Sequence, residues 1–167
     1  MSNKFSVLSD NSFLLLESVF DNKDLMKLVY YNKENPLDEP DTIAKQDVFM
    51  KSLKPVPFAN DVPKEQSCEL RIFFEEGEVL GNTIANTYVA FQFIYHNDLA
   101  LIKIKNKDED YKPKIRAYEV LDKVVKTFEK KSIGTIGVLT FAKQRFKYFH
   151  VSDNYSMYEL SAKMMTV

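Results

Sequence analysis

The chain has 167 residues, of which 45% are hydrophobic and 13% aromatic, a size and composition that predict one globular domain over residues 1–167 and exclude a disordered protein. Its 23 lysine and arginine residues nearly balance 24 aspartate and glutamate residues, which disfavours sequence-specific nucleic-acid binding and anionic membrane surfaces as partners. With Cys68 as the only cysteine and no signal-peptide or membrane-spanning pattern, we expect a reducing, cytosol-like compartment.

The first predicted elements are two short helices between residues 11 and 31, where apolar residues recur at helical spacing. Asp21 and Asn22 separate them, because short polar side chains that bond their own backbone favour a turn or a new N-cap. Tyr30 and Tyr31 end the second helix. They form either a partner-binding edge or, as aromatic residues at a helix end more often do, a cover for the core.

A proline-rich extended segment is predicted over residues 32–67, which hold five of the six prolines. Within it, Asp47 to Leu53 can form a helical turn that places Val48, Phe49 and Leu53 on a docking face. Segments of this length without regular structure pack along their own domain or contact a partner.

Three strands are predicted next from alternating apolar residues: Cys68 to Glu75, Thr87 to Tyr95 and Leu99 to Ile104. An acidic cluster, Glu75, Glu76 and Glu78, falls at the turn between the first two. It suggests paired catalytic carboxylates, a weak cation site or, most simply, a charged hairpin tip in water. We expect an exposed loop that faces a channel through which DNA passes, because negative charge there repels phosphates.

A longer central helix is predicted to open near Pro113 and to end before Gly134, which supplies the left-handed residue, with Lys130 and Lys131 opposing the helix dipole. Its buried stripe is predicted to be Ile115, Tyr118, Leu121, Val124, Val125 and Phe128.

Three more strands complete the chain: Val138 to Phe141, Phe146 to Val151 and Tyr155 to Thr166. Met164 and Met165 point to opposite faces of the last strand, so one of them is expected at an interface. The predicted fold class is therefore α+β, an antiparallel or mixed sheet packed with two short N-terminal helices and one longer central helix.

No catalytic, cofactor-binding or metal site can be assembled from the sequence. The four glycines fit neither a P-loop nor a dinucleotide-binding fingerprint. Gly134 and Gly137 have the spacing of the GxxG loop of KH domains, but they lead from a helix into a strand, so a turn is the simpler interpretation. His96 and His150 lie at strand ends without a second histidine at ligand spacing, where structural histidines are commoner than catalytic ones.

Several segments resemble the tail-terminator and neck (head–tail joining) proteins of tailed bacteriophages of Gram-positive hosts. They are Asp24 to Tyr31, Asn35 to Leu37, Pro40-Asp41, Leu53 to Pro57, Leu70 to Ile72, Phe91 to His96, Lys114 to Arg116, Ile133 to Gly137 and Tyr155 to Tyr158. The resemblance covers nearly the whole chain, and its motifs specify a fold more than a chemistry. The chain departs from the pattern in the linker Lys105 to Tyr111 and at Ser156-Met157, where glycine is expected.

The resemblance implies a structural virion protein that assembles in the host cytoplasm into a homo-oligomeric ring, commonly a hexamer, at the top of the tail. The ring would stop tube growth, join the tail tube to the neck or connector proteins and let DNA pass, without a cofactor. We expect it to form through strand edges, with the proline-rich segment strapped across the adjacent subunit. Three alternatives stay open: another neck or tail-completion protein, a small hydrolase that uses His96 or His150, and a monomeric binder of host proteins.

Overall fold

A computed structural model describes residues 4–59, 61, 63, 65–80, 83–133, 137–141 and 145–165. The helices are α1 (Lys4–Asp21), α2 (Lys23–Tyr30), α3 (Lys45–Val48) and α4 (Arg116–Phe128). The strands are β1 (Leu53–Lys54), β2 (Cys68–Leu80), β3 (Thr83–His96), β4 (Leu101–Lys105), β5 (Tyr111–Ile115), β6 (Val138–Thr140), β7 (Phe146–His150) and β8 (Tyr155–Met165). The predicted α+β class is confirmed.

Six strands form one mixed sheet in the order β1-β2-β3-β8-β6, with β7 paired to β8 on the same side as β6. Only β1 runs parallel to its neighbour; the other pairs are antiparallel. The long strands β3 and β8 are internal, so an open edge is left at β2 and not at these two strands. β4 and β5 form a separate hairpin.

The core lies between α1, α2 and α4 and one face of the sheet, here called the helix face. Alternate residues of β2 and β3 point into it, for example Ile72 and Phe93, while Val29 and Phe128 meet them from the helices. All four side chains are fully buried, and each such burial stabilises the fold by roughly 1.5–3 kcal/mol. None of the helices in the described part of the chain is long and apolar enough to cross a membrane.

The predicted break between the N-terminal helices is confirmed. Asn22 is the N-cap of α2, and its side-chain oxygen accepts a hydrogen bond from Leu25 N at 3.1 Å. The first helix is nevertheless longer than predicted, because it begins at Lys4 and has 18 residues. Phe5 and Val7 in its first turn are 66% and 45% exposed, so no buried stripe marks this end of the helix in the sequence.

The predicted start of the central helix is wrong, and its buried stripe is confirmed only in part, at Leu121, Val124 and Phe128. Ile115 and Tyr118 are 41% and 46% exposed, and the buried face begins with Arg116, a charged residue that apolar periodicity does not identify. Pro113 lies in β5 and not in the helix. Lys130, with φ 57°, is the left-handed residue after the helix; Gly134 lies outside the described residues.

The helical turn predicted at Asp47 to Leu53 lies slightly earlier, at Lys45–Val48. Val48 and Leu53 are fully buried, and the Phe49 ring packs edge-on against Phe20 with ring centroids 5.9 Å apart. The supposed docking face therefore covers the chain's own core.

The described residues of 55–66, here called the strap, cover the opposite, back face of the sheet. Arg71 donates to Pro57 O at 3.0 Å and to Asp61 Oδ2 at 2.9 Å, and Phe58 N donates to Gln92 Oε1 at 2.9 Å. The Tyr155 hydroxyl donates to Glu65 O. The strap is thus bound to its own sheet; the strapping of the proline-rich segment across an adjacent subunit stays a prediction.

Candidate assembly surfaces

The sheet has two open stretches of edge. Among the described strands, β7 pairs only with β8, so its outer edge is open. The outer edge of β6 instead forms isolated β-bridges with Glu129 and Ser132. At the other end, β1 covers only Leu70 and Arg71 of β2, and residues 73–79 have no described strand on their outer side. Unpaired amides and carbonyls on such edges can pair with another chain.

An aromatic surface lies beside β7 and consists of Tyr118, Phe146, Tyr148 and Tyr158. Tyr158 is at its centre, with ring centroids 5.5 Å from Tyr118, 6.2 Å from Phe146 and 5.4 Å from Tyr148. Phe146 is 61% exposed, Tyr148 51% and Tyr118 46%. Aromatic rings that form a contiguous and largely exposed cluster are typical of protein–protein interfaces.

The hydroxyls of this surface are hydrogen-bonded. The oxygens of Tyr118 and Tyr158 lie 3.3 Å apart, and this hydrogen bond, aided by desolvation, raises the pKa of Tyr158 to about 12. The Tyr148 hydroxyl pairs with Ser156 Oγ at 3.1 Å, and Ser156 donates to Asn97 Oδ1. The rings are therefore held in place by hydrogen bonds while their faces stay open.

The acidic cluster lies on a strand and not on the predicted loop. Glu75, Glu76 and Glu78 belong to β2, which continues to Leu80 through two register irregularities. All three are exposed, as predicted. Ser161 donates to Glu75 and Asn86 to Glu78, at 3.0 and 2.8 Å. Their role facing a DNA channel stays a prediction.

An apolar groove runs beside the open edge of β2. Its lining residues come from the first turn of α1, the start of the strap and β2 itself, and they include Phe5, Leu8, Pro55, Pro57, Phe73 and Phe74. Both phenylalanines of β2 are only partly buried. The groove therefore combines accessible apolar surface with unpaired backbone.

The predicted tyrosine and methionine contacts lie partly in the packing of the domain itself, and their role at an interface stays a prediction. Tyr30 is half-buried and packs on the core, and the Tyr31 hydroxyl donates to Pro40 O at 2.9 Å, so this pair covers the domain. Met164 is buried in the core. Met165 pairs with Val138 through its backbone, but its side chain lies outside the described residues.

The candidate catalytic side chains stand apart. His96 Nδ1 accepts a hydrogen bond from Asp98 N at 3.2 Å and so caps a 3-10 turn, while His150 is exposed on β7, two strands away. Cys68 is buried, and this burial raises the pKa of its thiol to about 11 although the neighbouring Arg116 lowers it. Within the described ranges, no three His, Cys, Asp or Glu residues are grouped to hold a metal ion.

The sequence interpretation missed the aromatic surface because it assigned Tyr118 to the buried stripe of α4. The alternation of Phe146 and Tyr148 with Lys147 in a short strand was the available signal. With a lysine between them, the two rings had to share one face of β7, and only the burial of that face remained unknown.

The fold and its open edges define a small α+β domain with surfaces suited to assembly. The YomW family model matches residues 22–164, so the chain belongs to the YomW family, a phage-like Bacillus protein family. No match was found among curated proteins. Membership confirms the phage-related part of the resemblance.

Proposed function

We propose that this phage-related protein is a structural virion protein that forms a homo-oligomeric ring, a hexamer, at the head–tail junction. As a tail terminator it would join the tail tube to the neck, and it would act by assembly and not by catalysis. The observation that carries the proposal is the aromatic surface along the open edge of β7. Another protein that docks there would bury the exposed rings and pair with the unpaired backbone of the strand.

Association through this surface would bury apolar area that is now exposed. Phe146, Tyr148 and Tyr118 keep about half of their area exposed, and burying an aromatic side chain fully is worth roughly 1.5–3 kcal/mol. Pairing the β7 backbone adds hydrogen bonds that fix the register of a neighbour. A second copy of the chain is the simplest partner, since identical subunits that dock head to tail close into a ring when the rotation between neighbours closes.

The position in the particle is tested by reconstructing purified phage tails. We expect six copies of this chain in one ring at the end of the tail tube nearest the capsid, and tails of uncontrolled length when the protein is depleted. Absence of the chain from purified particles would instead favour the host-protein binder, and a single copy per tail would contradict a ring.

The surface itself is tested by the double variant Phe146→Ser and Tyr148→Ser. We expect its association, measured by light scattering during size-exclusion chromatography, to be lost while circular dichroism stays unchanged. Phe13→Ser is the matched control, because Phe13 is 44% exposed on α1, away from the aromatic surface. Equal association of both variants would argue against this surface.

A further inference from the structure

We propose that consecutive copies join by antiparallel pairing of β7 in one copy with residues 73–79 of β2 in the next, so that their sheets become continuous. The inference rests on the ring proposed above and names the surfaces that meet. It starts from the two open edges, which lie at opposite ends of one sheet.

The strand directions fit head-to-tail pairing. Three antiparallel steps lead from β2 through β3 and β8 to β7, so β7 runs opposite to β2. Copies that keep a common orientation therefore bring β7 and β2 together as antiparallel neighbours. Pairing of β7 with another β7 would need a two-fold axis, which closes at a dimer and leaves both β2 edges open.

The charges of the edges select the same arrangement. The open part of β2 carries Glu75, Glu76 and Glu78, whereas Lys147 lies on β7 and Arg145 directly precedes it. Like charges directly opposite each other destabilise a strand pair, and a lysine on an edge deters self-pairing. Pairing of β7 with β2 instead places basic residues against acidic ones.

The side chains also match across the proposed junction. Phe146 and Tyr148 extend from the helix face of β7, and the faces are preserved when two sheets become continuous. In the next copy, Phe5 and Leu8 at the start of α1 line that side of the groove beside β2. The exposed rings of one copy thus meet the open apolar groove of its neighbour.

Charge reversal separates the two edges. We expect Glu76→Lys with Glu78→Lys, and Lys147→Glu with Arg145→Glu, each to weaken association by roughly tenfold or more. Because the reversed β2 edge of the first variant and the reversed β7 edge of the second carry opposite charges, and their unaltered edges also match, mixing the two should restore association. Rings formed by either variant alone, or a mixture that stays monomeric, would overturn the pairing.

A disulfide test supplies an independent measurement in a Cys68→Ala background. A chain with both Glu76→Cys and Lys147→Cys should form a ladder of covalent multimers on oxidation. The matched control combines Glu76→Cys with Lys112→Cys on the β4–β5 hairpin and should form none. Rings of the unaltered protein without the ladder would remove this pairing and leave the ring standing, whereas absence of rings in the unaltered protein would contradict the proposed function itself.

Discussion

Two arginines are buried on opposite faces of the sheet, and their partners differ. Arg116, on the helix face, is fully buried and donates to three carbonyls, those of Leu28, Tyr31 and Lys33, at 3.0, 2.9 and 2.6 Å. Arg71, on the back face, is 1% exposed and binds Glu69 and Asp61 at 2.8 and 2.9 Å.

This difference means that Arg116 is a permanent part of the core, whereas Arg71 holds the strap, which covers the sheet and can be released. The carbonyls that Arg116 binds follow or end α2, where a cation also stabilises the helix dipole. The hydrogen bond to Leu28 O is buried, and those to Tyr31 O and Lys33 O are partly buried. Arg71 instead joins the sheet to the strap, and its partner Asp61 is 54% exposed, so water can replace it. Losing Arg116 should therefore affect the whole fold, whereas losing Arg71 should affect mainly the strap.

The largest effect is expected for Arg116→Met. The substitution removes the donor from one buried and two partly buried carbonyls, and we expect the free energy of unfolding in urea to fall by about 3–5 kcal/mol. Arg145→Met is the control, because Arg145 is exposed and its loss should change stability by less than about 0.5 kcal/mol. A loss below 1 kcal/mol for Arg116→Met would mean that water reaches these carbonyls.

Arg71→Met should cost about 2–3 kcal/mol, since Glu69 stays buried but keeps Lys54 at 3.0 Å. Its distinguishing effect is local: we expect limited proteolysis to cleave residues 55–66 much faster than in the unaltered protein. Lys54→Met is the matched control, because it removes the other partner of Glu69 without releasing the strap. Unchanged cleavage in Arg71→Met would show that apolar contacts alone retain the strap.

Asn22→Ala should cost about 2 kcal/mol, because it removes the α2 cap and the hydrogen bond from Asn22 Nδ2 to Thr127 Oγ1, at 2.8 Å. Asn22→Asp keeps the capping oxygen and loses only the donor, so it should recover about half of that loss. Thermal unfolding of the three proteins measures the difference. Equal losses in both variants would assign the whole effect to Thr127.

The smallest effect is the pH dependence of Cys68. Its pKa is raised to about 11 in the folded protein, so this contribution to stability is complete below the unfolded pKa, near 9, and is lost as pH rises towards 11. We expect about 1 kcal/mol to be lost between pH 8 and 9.5. Cys68→Ala should remove this slope. A slope that persists would assign it to other groups.

Local patterns predicted most of the strands, though not β1 and β5, and the helix break, but long-range contacts decided the rest. Asn22 caps α2 through its own side chain, and Leu70 and Ile72 alternate towards the core, so both signals lie within a few residues. The first turn of the buried face of α4 was missed because Arg116 is satisfied by carbonyls more than 80 residues away in the chain.

The candidate site was less predictable than the fold. The exposure of Glu76 followed from charge alone, but its place on a strand depends on pairing with Tyr88, across register irregularities. The exposed rings of Phe146 and Tyr148 depend on which strand occupies the sheet edge, and no local pattern encodes strand order.

The open stretches of the two sheet edges lie at different positions along the strand direction. Tyr148 of β7 lies opposite Tyr158 of β8, which in turn lies opposite Phe93 of β3. Glu76 of β2 lies opposite Tyr88 of β3. Five residues of β3 separate these two positions, roughly 17 Å at 3.4 Å per residue. If copies pair through these edges with their strands parallel to the axis of the assembly, each subunit is displaced along that axis by this distance. The assembly then becomes a helical filament. A planar ring requires strands that are tilted relative to the ring axis, as in a β-barrel, where the stagger between strands is linked to their tilt. The tilt of the strands therefore decides whether the assembly closes or keeps growing.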